Sequence, residues 1–137
     1  VTPLDNALEV SFYMETPQFV DMAQVAAALA VPDAAYHSKG QVHSSRNKRV
    51  QIVSSVSYYS FGRDRHAAGA DKIGDVLGLV AERQSQFAAL FAEHDFERTL
   101  FIYTWPGQDN GQFELSAPQV CLLAELDVAL SVVHYGA

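Results

Sequence analysis

Chemistry that depends on fixed residue spacings is largely missing from this chain. Cysteine occurs once, at Cys121, so neither an intrachain disulfide nor a zinc-type cysteine spacing can form. That favours a reducing compartment. Cys121 stands in an apolar stretch, Val120 to Leu123, where an inert, packed thiol is expected rather than a nucleophile. No apolar run approaches the ~20 residues of a bilayer span, and the opening Val-Thr-Pro-Leu-Asp lacks the basic and apolar regions of a signal peptide. A cytoplasmic protein with no membrane partner is expected.

The loops that cradle phosphate, Gly-x-Gly-x-x-Gly and Gly-Lys-Ser/Thr, are absent, as is a Gly-x-Ser-x-Gly nucleophile elbow. The five histidines (His37, His43, His66, His94 and His134) show no i, i+4 pair and no His-Glu-x-x-His motif. His37, His43 and His66 could converge on a metal from separate segments, but nothing in the sequence brings those segments together. Asp71 and Asp75 read as charge compensation at a helix start. The expectation is a chain without metal, cofactor or catalytic residue.

What is present describes a folded domain. A length of 137 residues suits one hydrophobic core, so residues 1–137 are read as a single domain. With 49% apolar and 18% charged residues, the composition is globular rather than disordered. Leu8, Val10, Phe12 and Met14 alternate with Glu9, Ser11, Tyr13 and Glu15, the period of a strand with one buried face. Asp21 and Gln24 resemble a capping box that opens a helix over Met22 to Leu29, closed by Pro32. The run from Asp33 to Lys48 is irregular and polar, with Gly40 as a special backbone position and Ser44-Ser45-Arg46-Asn47 as a hairpin turn. One strand is predicted over residues 49–59, with Tyr59 on its outer face.

Ile73, Val76, Leu77, Val80, Phe87, Leu90 and Phe91 then predict one long amphipathic helix. Gly74 and Gly78 inside it suggest close packing on a strand or a bend. Thr99 to Trp105 and Phe113 to Leu115 predict a second hairpin across the turn cluster between them. Ser116 and Gln119 form another capping box, and Val128 to Tyr135 a last strand. Hairpins separated by helices imply an α+β fold, a mostly antiparallel sheet with helices packed on one face.

Net charge is −7 and unevenly spread. Six basic residues against Asp64 give Lys39 to Arg65 a net +5 and leave −12 on the remainder. Such an acidic remainder argues against a nucleic-acid partner, which needs a broad positive footprint. Tyr36, His37, Lys39, Arg46, Lys48 and Arg49, joined by Arg63 and Arg65, are the candidate contact residues of the basic stretch. Tyr58, Tyr59 and Phe61, with Tyr103, Trp105 and Phe113, form an aromatic candidate set, because rings and arginine anchor interfaces. The reading on residues alone is a non-enzymatic protein-binding module. The alternative is a small-ligand or anion-binding domain, or an enzyme using the loop histidines and basic residues.

The helix ending in Leu29-Ala30-Val31-Pro32, followed by Ser38-Lys39-Gly40-Gln41, the long central helix, the strand near Phe101 and the closing strand ending in Tyr135 together resemble the bacterial family called domain of unknown function 4279. Ala30 stands where that family usually has Gly, and Gln41 where it has Glu. The resemblance runs from about Leu8 to Tyr135 and implies the same α+β fold. By analogy it also implies an immunity protein that neutralises a toxin.

Overall fold

The computed structural model describes residues 8–44, 51–66, 71–105 and 113–135; at 43–44 and 51–53 it describes the backbone alone. Strand β1 (Leu8–Thr16) keeps its period of two throughout, with Leu8, Val10, Phe12, Met14 and Thr16 buried. Helix α1 (Met22–Leu29) starts at Asp21, whose carboxylate accepts from the Ala23 N–H, a bond two residues on rather than the three of a capping box. It ends at Ala30, left-handed at φ 52°, two residues before Pro32.

The polar run expected to be irregular holds two short strands, β2 (Ala35–His37) and β3 (Val42–Ser44). Gly40, at φ 85°, takes the special backbone position between them. The single strand expected over 49–59 is two strands, β4 (Gln51–Val53) and β5 (Ser57–Arg63). They belong to different sheets: β4 pairs with β3 in a separate hairpin, whose turn falls largely outside the described residues, while β5 joins the main sheet.

The long helix is likewise two, α2 (Lys72–Glu82) and α3 (Gln84–Glu93). The break falls at Arg83, not at either glycine, and its guanidinium reaches the carbonyls that end α1, bonding Leu29 O at 2.6 Å and Ala30 O at 3.2 Å. One cation thus terminates two helices. Gly74 leaves room for the Asp71 carboxylate that caps α2, whereas a side-chain carbon at Gly78 would meet nothing within 4 Å. Strand β6 (Glu97–Thr104) follows, but Phe113 to Leu115 form no strand, so the second hairpin is not built. Helix α4 (Ala117–Glu125) has the complete capping box of Ser116 and Gln119, and β7 (Ala129–His134) closes the sheet.

The main sheet runs β2-β5-β1-β6-β7. Its first three pairings are antiparallel and β6–β7 is parallel. Strands β1 and β2 run parallel with β5 between them, and β5 and β6 run parallel with β1 between them. That is split β-α-β connectivity of the ferredoxin-like kind, extended by α4 and β7 as an added parallel unit. The fold is α+β, a mostly antiparallel open sheet.

All four helices contribute to one core on one face. Phe12, Tyr59, Phe61, Leu100 and Ile102 of the strands cluster with Met22, Val76, Phe87 and Leu123 of the helices. Phe12 stands at its centre, 5.3 Å from both Phe61 and Phe87. Two buried polar side chains, Ser57 and Lys72, are satisfied there. The Ser57 hydroxyl accepts from the N–H groups of Val20 and Lys39 and donates to Gln18 O, tying two loops to β5. Lys72 donates to Leu8 O at 2.9 Å and Arg65 O at 3.0 Å.

Candidate functional site

Because helices cover only one face, every alternate strand residue points to the other. The register puts Tyr13 of β1 diagonal to Tyr58 of β5 and to Phe101 of β6, with Tyr103 further along β6 and Trp105 just past its end. The rings follow one another in a line. His37 lies 5.2 Å from Tyr58, Tyr58 5.9 Å from Tyr13, Tyr13 6.3 Å from Phe101, and Phe101 5.8 Å from Tyr103. Trp105 and Tyr135 close the end, stacked at 4.9 Å, each within 6.4 Å of Tyr103. None of these side chains is fully buried. An aromatic stripe therefore crosses the open face from β2 to β7.

Carboxylates flank the stripe. Glu15 lies opposite Tyr58 on one side and opposite Glu97 on the other, and Glu9 lies opposite Tyr103. Glu15 and Glu97 are like charges on directly facing positions, an arrangement that costs stability. Burial, reinforced by Glu15, pushes the Tyr13 phenol up to about 12. Burial, then Tyr135 and Glu9, raises Tyr103, and burial raises Tyr58. Among the described residues, no lysine or arginine forms an ion pair with Glu9, Glu15 or Glu97.

The described basic residues have other tasks. Lys39 donates to Pro17 O, Arg63 pairs with Asp75 at 3.4 Å, and Arg65 lies 4.8 Å over the Trp105 ring. Arg83 ends α1, and Arg98 donates to Leu126 O while lying 4.1 Å over Phe91. Lys39 adjoins Ser57 at one end of β5 and Arg63 stands at the other, about 20 Å away at strand rise. The described members of the basic stretch are thus divided rather than gathered. Arg46, Lys48 and Arg49 fall outside the described residues.

Other expected contacts move as well. Tyr59 is 0% exposed, so it belongs to the core and cannot serve a surface contact; its hydroxyl comes near the Val31 N–H without closing a well-formed hydrogen bond. Phe61 is buried beside it. Tyr36 stacks on Tyr59 at 6.5 Å from the helix side of the exposed sheet margin, and His37 joins the open face. His66 bonds locally at the far end of β5. Among the described residues no three His, Cys, Asp or Glu side chains gather as a metal site. Cys121, expected to be packed, is exposed and lines a groove of about 410 Å³ between α2 and α4, with Gly78, Leu77, Gln119 and Glu125.

Tyr13, Phe101 and Tyr135 are the members of the stripe that sequence reasoning missed. Alternation with Phe12 already places Tyr13 on the outer face, which is the one signal that marks it. Among the described residues, no helix is long and apolar enough to cross a membrane. Compared with protein-family models, curated proteins and solved structures, the chain matches none.

Proposed function

We propose that this chain is a non-enzymatic protein-binding module whose docking surface is the open face of the main sheet. The observation that carries this reading is the unbroken aromatic stripe from His37 to Trp105 on the face the helices leave uncovered. Rings bury large area at low entropic cost and keep a polar tip for hydrogen bonding, which is why they dominate interface anchors. A solvated sheet face ordinarily carries polar side chains, so a row of rings there needs a reason. The toxin-neutralising form of this reading is supported by the net charge of −7, which would steer a basic partner into contact.

The test is capture of partners from native lysate on tagged protein, beside a Tyr58→Ala/Tyr103→Ala variant. The wild type should retain one protein in stoichiometric amount and the variant should lose it. A partner held equally by both would remove the open face from the reading. Steering in turn requires an association rate that falls with added salt.

A further inference from the structure

Resting on that reading, we infer that the open face receives an arginine-bearing extended segment of the partner, its guanidinium groups stacked on the rings and paired with Glu15, Glu97 and Glu9. Charge complementarity carries the choice of occupant. On this face three carboxylates stand beside the stripe, and the cation described there, Arg65, is already placed over Trp105. The chain's other described lysines and arginines are held by backbone carbonyls, by Asp75 or by Phe91, so within those residues the acids of the stripe have no cation to meet. Glu15 facing Glu97 is a repulsion that a guanidinium between them would turn into attraction.

Arg65 over Trp105 shows the contact in miniature. A guanidinium carbon lies over a ring of this stripe, 4.8 Å from its centroid and within the range of cation–π attraction. Tyr58 and Tyr13 offer further rings of the same kind near Glu15, and Phe101 one more beyond Tyr13. Their centroids are 5.9 and 6.3 Å apart. Alternate side chains of an extended chain are about 6.8 Å apart, so a segment crossing the strands can set every second residue on successive rings. A nucleic acid, which also stacks on rings, would bring phosphates to a face edged with carboxylates.

The experiment uses the whole chain and fluorescently labelled hexa-arginine, hexa-lysine and a ten-nucleotide thymidine strand, read by anisotropy. Hexa-arginine should bind, more tightly than hexa-lysine, and the thymidine strand should not. Glu15→Gln/Glu97→Gln should weaken hexa-arginine about tenfold or more, while Glu82→Gln/Glu93→Gln, which removes two exposed carboxylates from the helix side, should change it less than twofold. Glu15→Gln/Glu97→Gln should unfold at or above the wild-type temperature, and Glu82→Gln/Glu93→Gln, which gives up exposed pairs with Arg83 and His94, close to it. Equal loss in the two double variants, no binding of hexa-arginine, or preference for the thymidine strand would each overturn the inference. If a partner captured through the face is not displaced by hexa-arginine, the docking surface stands and the cationic occupant falls.

Discussion

Phe12 and Tyr13 are consecutive residues of one strand, differ by a hydroxyl, and look in opposite directions. Phe12 is wholly enclosed, with Phe61 and Phe87 at 5.3 Å and helices beyond them. Tyr13 has rings at similar distances, Tyr58 and Phe101, but carboxylates and solvent in place of helices. Both faces of the sheet are thus aromatic, and only one is covered. The same residue type contributes to folding where it is enclosed, and under the proposed function to recognition where it is not.

The sharpest way to break this comparison is to truncate both neighbours. Phe12→Ala should destabilise the fold by about 3–5 kcal/mol in urea unfolding, the range for a large ring removed from a packed core. Tyr13→Ala should cost about 1 kcal/mol, as expected for a partly exposed side chain with ring contacts, while abolishing partner capture. Equal costs would make the open face a second core.

Ser57→Ala should cost about 2 kcal/mol, because it strands the Val20 and Lys39 N–H groups; hydrogen exchange should then quicken at those two amides. Gly78→Ala acts on the helix side, where nothing lies within 4 Å of the added carbon, and should raise stability by up to about 1 kcal/mol in the same unfolding assay. Its failure would show that the groove beside Cys121 closes on α2.

The gentlest probe is alkali. Folded Tyr13 keeps its proton to about pH 12, whereas an unfolded tyrosine releases it near 10. Its contribution is therefore complete below pH 10 and is lost between 10 and 12, where the folded state holds more protons. Tyr13→Phe should flatten the decline in stability over that window, measured by urea midpoints at stepped pH.

How much of this could be read from residues alone depends on whether the signal was local. The alternation of β1 and the Ser116–Gln119 capping box are local, and both are built as the pattern implies. The fold class followed from the succession of hairpins and helices, and it holds although the second hairpin is not built. The faces of β5 were not legible, because counting by twos from Val50 to Tyr58 runs through the interruption between β4 and β5, and an error of one residue inverts every side chain. That inversion sets Tyr59 on the outer face and Tyr58 on the inner one, the reverse of their places in the sheet. Phe101 sits in a continuous apolar run from Leu100 to Tyr103, which carries no facial information. Arg83 breaks a helix by reaching 54 residues back to Leu29, a tertiary cause that helical periodicity cannot register.

The sheet order has a consequence for when the protein becomes competent. The first strand among the described residues takes the middle position, and its second neighbour, β6, is complete only at Thr104. Tyr13 thus waits for Phe101, and Tyr103 for Tyr135, so the stripe cannot assemble from any local fragment. Partial folds of this chain carry the rings without the platform. A partner that needs the platform selects finished molecules and, by mass action, draws the folding equilibrium toward them.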